Sequence, residues 1–414
     1  MESALSPYRV LDLATEQGLM CGKVLADLGA DVIKVEPPGG DPCRQTGPFY
    51  HDEPDPEKSL FWFALNANKR SVTLDIASPR GKAMLLQLVQ QADIVVESFR
   101  PGHLDSLGLG SADLRNANAR VILVSISPFG QTGPYAQYET TDLVAMAMGG
   151  FLYTTGDVER PPVRISYPQA YFHAGAEGAV AALMAIHHRK LTGEGQHLDV
   201  SIQECVVWTL MNTTATWDLN RVNVTRSGAI RARPPHGFTF PIHWKCKDGY
   251  VTFGMHSGQL IAAALPPLVQ WMDEVGQADD FLREMDWEAA DFTYFTQPEL
   301  DEIARRIAQF FEGYEKEELF REALKRKLLL FPVATIEDIV KSPQLKERDF
   351  FVTLRHPDLR DTIRYPGPFI KMSETPVHVR RRAPRIGEHN AEVYRSLLGL
   401  GEEDLTSLRS EGVV

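Results

Sequence analysis

The sequence has few cysteines, fewer basic than acidic residues and no long apolar run. Its four cysteines are too scattered for a disulfide framework or for the paired ligands of a zinc site, so no metal is expected. We expect reduced thiols and a cytoplasmic location. The formal net charge of −12 argues against a nucleic-acid partner or an anionic membrane surface. No apolar stretch approaches the roughly 20 residues of a membrane span, so no membrane segment is predicted.

A glycine-rich dinucleotide fingerprint is also missing. The turn after the first predicted strand contains residues 14–18, without a G-x-G-x-x-G pattern, which argues against a nicotinamide-dependent dehydrogenase. The first half of the chain nevertheless alternates buried strands with helices, which predicts a parallel sheet. The fold class expected is therefore α/β, doubly wound and Rossmann-like. The predicted strands are 8–13, 32–36, 71–75, 93–97 and 121–126, and the predicted helices between them include 21–28 and 81–91.

The character of the chain changes at about residue 225. A tight-turn signal at 247–250 predicts a β-hairpin over 243–253, and charged helices are predicted between 276 and 330. We therefore predict a discontinuous large α/β domain of residues 1–224 and 331–414, with a smaller α+β domain of residues 225–330 inserted. In the large domain, the small residues of a helix predicted over 174–190 indicate close packing against another helix or the sheet.

Eight short segments accumulate in a fixed order along the chain. They are residues 25–36 (LADLGADVIKVE), 66–71 (NANKRS), 97–102 (ESFRPG), 129–134 (FGQTGP), 192–201 (TGEGQHLDVS), 247–250 (KDGY), 331–333 (FPV) and 387–389 (GEH). Any one of them is a weak signal, but the ordered set resembles the family III CoA-transferases from end to end. The resemblance includes the formyl-CoA transferases and the carnitine CoA-transferases.

The resemblance implies a fold, an assembly and a set of contacts. Two subunits would form an interlocked-ring dimer, with CoA and acyl-CoA as substrates and no permanently bound cofactor. The large domain would bind CoA, and the small domain would contribute a glycine-bearing loop, with Gly254 and Gly258 as candidates. The CoA contacts carried over residue by residue are Thr15, Glu16, Gln17, Leu74, Ser98, Phe99 and Arg100. Lys69 and Arg70 are further candidates for phosphate contacts. Two departures stand out, because the family often has Asn where Ser98 stands and the first turn is one residue shorter.

The largest departure is Tyr171. The resemblance implies a nucleophilic Asp at this position, which attacks the thioester, releases CoA thiolate and becomes a mixed anhydride. A phenol, with a pKa near ~10, is a poor substitute at neutral pH. A shift of one residue brings Ala170 or Phe172 to the position, so no realignment restores a carboxylate. We expect no catalytic residue at this position, and we expect the Tyr171 ring to be buried where the Asp would stand.

The resemblance also implies a function for a chain that lacks the nucleophilic Asp. The heteromeric benzylsuccinate CoA-transferases of anaerobic toluene breakdown have one subunit that lacks the Asp. The chain is therefore predicted to be the non-catalytic subunit of a heterodimer or heterotetramer, inactive alone. An Asp-containing paralogous partner would supply the nucleophile. The complex would move CoA from a dicarboxylic acyl-CoA such as succinyl-CoA to an aromatic dicarboxylate.

Three other interpretations stay open. The chain can be an active homodimer with a displaced nucleophile or base. The candidates for that role are His173, Glu177, Asp157 and Asp142. It can be a related racemase, whose His and Asp pair would fall on Thr141–Asp142 and Tyr171, both of which depart from that pattern. It can also be a CoA-binding regulatory protein without catalysis.

Overall fold

The computed structural model describes residues 3–233, 238–254, 259–287 and 295–414. The chain divides into two compact units, which are described separately. The larger unit contains Met1–Leu152, Arg164–Val222 and Pro343–Val414, and the smaller unit contains Tyr153–Val163 and Asn223–Ser342.

The larger unit is built on a six-stranded sheet in which every neighbouring pair is parallel. Its strands are β1 (Arg9–Asp12), β2 (Asp31–Glu36), β3 (Arg70–Thr73), β4 (Ile94–Glu97), β5 (Ile122–Ser127) and β6 (His197–Ser201). The spatial order is β3-β2-β1-β4-β5-β6. The predicted α/β class with a parallel sheet is confirmed. The strand order reverses direction between β1 and β4, which is where doubly wound sheets bind ligands, at the carboxyl ends of their strands.

Helices lie between the strands and after the last of them, and several pack on the two faces of the sheet. They are α1 (Leu19–Asp27), α2 (Leu60–Asn66), α3 (Pro79–Val89), α4 (His103–Ser106), α5 (Ser111–Ala117), α6 (Asp142–Met148), α7 (Gln169–Thr192), α8 (Ile202–Trp208) and α9 (Met211–Asn220). Local sequence explains where some of them begin. In α3, Pro79 occupies the first turn, and the Ser78 side chain accepts a hydrogen bond from the Gly81 N–H.

Alternate residues of the strands point into two different cores. Val10 and Val124 belong to the core that includes side chains from α1 and α7. Leu11 and Leu123 belong to the opposite core, with side chains from α3 and α5. Because both faces are covered, the strands contribute apolar side chains to both cores, as parallel strands generally do.

Small residues allow α7 to lie very close to α1. A Cβ atom at Gly175 would stand 2.6 Å from Met20 Cβ and 2.9 Å from the Cys21 nitrogen. Gly178 faces the sheet, where a Cβ atom would be 3.1 Å from Ile126 Cδ1. The close packing predicted from the small residues is confirmed. The helix begins at Gln169 rather than at the predicted 174, which places Tyr171 in its first turn.

The smaller unit has its own apolar core. Its strands are β7 (Ile230–Arg233), β8 (Phe238–Pro241), β9 (His243–Cys246), β10 (Gly249–Phe253) and β11 (Leu330–Pro332). Its helices are α10 (Gln259–Glu274), α11 (Asp280–Arg283), α12 (Gln297–Glu312), α13 (Lys316–Arg326) and α14 (Ile336–Lys341). The strands β9 and β10 form the predicted hairpin, with Cys246 opposite Gly249.

The remaining elements return to the larger unit. They are α15 (Pro343–Glu347), β12 (Phe351–His356), β13 (Asp361–Pro366), α16 (Asn390–Leu398) and α17 (Glu402–Ser410). The strands β12 and β13 pair antiparallel, and α16 packs against α3 and β3. All four cysteines of the chain are unpaired, as expected, and all four are buried. Within the described part of the chain, no helix has the length and apolar character needed to cross a bilayer.

Candidate functional site

Two turns meet where the strand order of the large sheet reverses. The turn after β1 contains Thr15, and the turn after β4 contains Ser98. The Thr15 N–H donates to Ser98 Oγ at 2.9 Å, and the two hydroxyl oxygens lie 3.2 Å apart. The predicted CoA-contact segments 15–17 and 98–100 are therefore neighbours in space, although 83 residues separate these two hydrogen-bonded positions. This is the position where a doubly wound sheet has an open crevice.

A cavity of about 230 Å³ lies at this crevice. Three of the predicted CoA contacts, Thr15, Leu74 and Phe99, line it, so the structure brings them together. The remaining lining combines apolar residues with three acidic ones and a histidine. It comprises Leu13, Val35, Glu36, Pro37, Asp41, Pro42, Asp75, Ile76 and His103. An apolar slot with a few polar groups is suited to a flat, partly polar ligand group.

A second cavity, of about 270 Å³, also borders the 98–100 turn. Gln17, Ser98 and Arg100 line it, and Phe99 lines both cavities. The Gln17 Oε1 atom is buried and has no hydrogen-bond partner among the described residues. Arg100 is exposed, and its Nε donates to Gln137 Oε1 at 3.0 Å. The two cavities together therefore contact every predicted CoA residue except Glu16.

Tyr171 lies on the first turn of α7 and is 4% exposed, so the expected burial of its ring is confirmed. Its phenol oxygen accepts hydrogen bonds from the Gln17 side chain and from the Asp142 N–H at the start of α6. Burial, together with the Glu16 and Asp142 carboxylates, raises the pKa of the phenol above its usual range. The ring therefore fills its pocket as a neutral, hydrogen-bonded group rather than as a nucleophile.

Two carboxyl groups surround this phenol. Glu16 is exposed, and partial desolvation together with the Asp142 charge raises its pKa. The pKa of Asp142 is also raised by burial, although the Ala170 and Tyr171 N–H groups and the Arg164 charge oppose that effect. Glu16 was expected only as a CoA contact, and its proximity to Tyr171 was not predicted. No sequence signal connects the three residues, since they are brought together from three separate segments.

The predicted phosphate contacts at Lys69 and Arg70 are engaged elsewhere. Lys69 is fully buried and pairs with Asp12 at 2.7 Å. Arg70 pairs with Asp31 at 2.6 Å and with Glu392 at 2.8 Å. The hypothesis that Lys69 contacts a phosphate is wrong, because its buried ammonium group neutralises the carboxylate of Asp12 at the end of β1, a central strand of the sheet.

The other candidate residues are divided between the two units. In the larger unit, His173 and Glu177 are half-buried on α7. In the smaller unit, Asp157 is exposed, and Gly254 directly follows β10. Gly258 lies outside the described residues. The glycine-loop role of both glycines therefore remains a prediction.

Known proteins resemble this chain over nearly its full length. Residues 5–390 match the model of CoA-transferase family III. A subunit of succinyl-CoA:(R)-benzylsuccinate CoA-transferase from Thauera aromatica, named BbsE, is 35% identical over 95% of this chain and 94% of its own. The succinyl-CoA–D-citramalate CoA-transferase of Chloroflexus aurantiacus is 32% identical over 99% of this chain and 98% of its own.

Two further comparisons extend this agreement. The beta subunit of succinyl-CoA–L-malate CoA-transferase from Chloroflexus aurantiacus is 30% identical and covers 99% of this chain and 98% of its own. The crystal structure of a CAIB/BAIF family protein from Brucella suis superposes with a TM-score of 0.83 at 27% identity, over 96% of this chain and 100% of that one. The parallel sheet, the crevice at its reversal point and these matches agree: the chain belongs to CoA-transferase family III.

Proposed function

We propose that this chain is the non-catalytic subunit of a heteromeric CoA-transferase, and that an Asp-containing paralogous subunit supplies the nucleophile. The observation that carries the proposal is the buried Tyr171 phenol at the position of the family's Asp. A neutral phenol held by hydrogen bonds cannot replace a carboxylate in forming the anhydride. The rest of the crevice is formed, which supports a scaffold that still has a role in a complex.

The proposed partner is a second chain of the same family in a heterodimer or heterotetramer of interlocked rings. Two relatives reported above are named as subunits, of a benzylsuccinate and of a malate CoA-transferase. By analogy with the first, the proposed reaction moves CoA from succinyl-CoA, or a similar dicarboxylic acyl-CoA, to an aromatic dicarboxylate such as benzylsuccinate. Anaerobic toluene breakdown in the cytoplasm is the proposed setting.

Within this chain, we propose that the larger unit forms the CoA-binding domain predicted over 1–224 and 331–414, and that the smaller unit, with bounds at Tyr153–Val163 and Asn223–Ser342, forms the small domain predicted over 225–330. The two cavities beside the 98–100 turn support a bound CoA, because one of them is mainly apolar and the other opens next to Gln17 and Arg100. CoA would be a substrate and not a permanently bound group.

Reconstitution tests this function. Expressed alone, the chain is expected to be insoluble or inactive, whereas co-expression with an Asp-bearing paralogue is expected to give a stable complex that converts succinyl-CoA and benzylsuccinate. Changing the partner's nucleophilic Asp to Ala should abolish transfer. Changing Tyr171 to Phe in this chain should preserve most of the transfer activity of the complex. A complex that needs Tyr171 but not the partner's Asp would contradict the proposal.

A second candidate function is an active homodimer with a displaced carboxylate. Glu16 is the specific observation in its favour, because partial burial and the Asp142 charge raise its pKa, and its own charge raises the pKa of Tyr171. In that case the chain alone should transfer CoA. Glu16→Gln should then remove the activity, and Glu177→Gln on the neighbouring helix should leave it. A third possibility is a CoA-binding regulatory protein, for which CoA should raise the melting temperature of the chain without any partner.

A further inference from the structure

A second polar cluster lies directly behind the 98–100 turn. Glu97 ends β4 and is buried, and its Oε2 accepts a hydrogen bond of 2.7 Å from the Phe99 N–H. The same carboxylate therefore holds the backbone of a residue that lines both cavities beside the turn. A charged acceptor makes such a hydrogen bond shorter and stronger than a neutral one does.

The cluster continues from Glu97 toward the protein surface. Ser125 lies opposite Glu97 in the β4–β5 register, is buried and hydrogen-bonds the Glu97 carboxylate. The Ser125 Oγ atom lies 2.8 Å from His197 Nε2, and His197 is exposed on β6. Because a hydroxyl has one proton and Ser125 donates it to Glu97, His197 must donate from Nε2. A hydrogen-bonded chain thus leads from an exposed imidazole to the buried carboxylate.

Charged groups surround this series of hydrogen bonds from His197 to Glu97. A cavity of about 210 Å³ is lined by Glu97, Ser125 and His197. Asp105 of α4 and Arg100 of the turn also line it, and Asp199 of β6 acts on Glu97 electrostatically. Arg100 contacts this cavity and the second of the two cavities described above.

We propose that Glu97 is a positioning residue for CoA: its ionised carboxylate holds the 98–100 turn in place, and its protonation, by way of His197 and Ser125, releases that turn and weakens CoA binding. The inference rests on the proposed CoA site and adds a regulation to it. The surface cavity behind the turn, rather than the crevice itself, would then couple CoA affinity to the proton concentration.

The ionisation of Glu97 falls in the neutral range. Burial raises the pKa of its carboxyl group to about 7, and the Asp105 and Asp199 charges add to the effect, while the Ser125 and Phe99 hydrogen bonds oppose it. If CoA binds more tightly to the ionised form, binding releases a proton, and affinity must rise with pH through about 7. When protonation replaces the charge-assisted hydrogen bond between Glu97 and Phe99 with a neutral one, the dissociation constant for CoA should increase by about five-fold.

Hydrogen–deuterium exchange of the 98–100 peptide measures CoA binding to this chain, alone or in a complex. The CoA concentration that half-protects the peptide is expected to be about five-fold higher at pH 6 than at pH 8. Glu97→Gln keeps an acceptor for the Phe99 N–H but does not titrate, so its half-protecting CoA concentration should change with pH only as far as ionisation of the CoA phosphates changes it. The variant also serves as a control, because ionisation of the CoA phosphates affects both proteins equally.

Ser125→Ala provides an independent check. It removes a hydrogen bond that favours the ionised carboxylate, so the pH midpoint of CoA protection should move to higher pH. Equal pH profiles for the wild type and Glu97→Gln would overturn the inference while leaving the CoA site intact. No protection of the peptide by CoA at any pH, in the chain or in the complex, would overturn the CoA site and the inference with it.

Discussion

The carboxylate of Asp142 accepts a hydrogen bond of 2.8 Å from the N–H of Ala170, 28 residues later in the chain. The Tyr171 N–H also donates to it. Free amides on the first turn of a helix attract negative charge, and a developing oxyanion or carboxylate at the reaction position would normally benefit from them. In this chain, those amides already contact a protein anion, while the phenol of Tyr171 fills the space beside them.

We expect Tyr171→Asp to restore covalent chemistry. The introduced carboxylate would stand on the first turn of α7, and its shorter side chain would vacate the space that the phenol now fills. In a complex whose partner nucleophile is changed to Ala, transfer should rise at least ~10-fold above the background of the unmodified chain. Because Glu16 and Asp142 disfavour a further negative charge, the activity should increase with pH.

The same experiment has a direct covalent readout. Mass spectrometry of the peptide that contains position 171 should detect a CoA thioester in Tyr171→Asp after incubation with succinyl-CoA. Tyr171→Phe is the matched control and should remain unmodified. An unmodified peptide in both variants would mean that the CoA contacts have also been lost.

Substitution of Gly175 is expected to separate α7 from α1. In Gly175→Ala, the new methyl group would meet Met20 Cβ at 2.6 Å and the Cys21 nitrogen at 2.9 Å. Since a backbone atom cannot move aside easily, the free energy of unfolding should fall by about 1–3 kcal/mol, despite the better helix propensity of Ala. Urea unfolding measures the change. Gly178→Ala is the comparison, because its nearest neighbour is the tip of Ile126, and an equal loss in both variants would contradict the packing argument.

Removal of the Lys69 charge should destabilise the larger unit strongly. Its ammonium group lies 2.7 Å from Asp12 Oδ2, and both side chains are fully buried. Lys69→Met leaves an unpaired buried carboxylate and should cost about 3–5 kcal/mol in unfolding free energy. The double variant Asp12→Asn, Lys69→Met should recover part of the loss, as a urea series on all three proteins would reveal. Wild-type stability with reduced CoA binding would instead return Lys69 to the ligand site.

His356 should contribute to the acid sensitivity of the larger unit. It is buried and lies 2.7 Å from Tyr365 Oη, and burial together with the Arg382 charge lowers its pKa to about 4. The unfolded chain, with a His pKa of about 6.5, binds more protons between these values, so stability is complete above about 6.5 and is lost as the pH falls toward 4.

His356→Gln should reduce that loss by about 1–2 kcal/mol, a value that allows for solvent screening. Thermal unfolding at a series of pH values between about 4 and 6.5 measures this loss of stability. His187→Gln, at an exposed position on α7, should retain the wild-type profile. The role of His356 would be excluded if its variant lost stability with acid as steeply as the His187 variant.

Local sequence predicted the core elements closely. The strand predicted at 121–126 is observed at Ile122–Ser127, and the helix predicted at 21–28 is observed at Leu19–Asp27. Runs of buried apolar residues identify such elements because both faces of a parallel sheet are covered. The start of α7 was predicted five residues late, because the Asp142 carboxylate that caps its first turn comes from a distant segment. A capping residue that comes from a distant segment cannot be recognised in the residues next to the helix.

The sequence by itself determined the family, the parallel sheet and the absence of a carboxylate at position 171, because these depend on residue order and on patterns within short segments. Tertiary structure alone decided that the Tyr171 phenol is buried between Gln17 and Asp142, and that Glu97 holds the turn beside the cavity. It also decided that Lys69 neutralises Asp12. Burial and electrostatic partners arise from segments far apart in the chain, and only folding brings their charges within a few ångströms of one another.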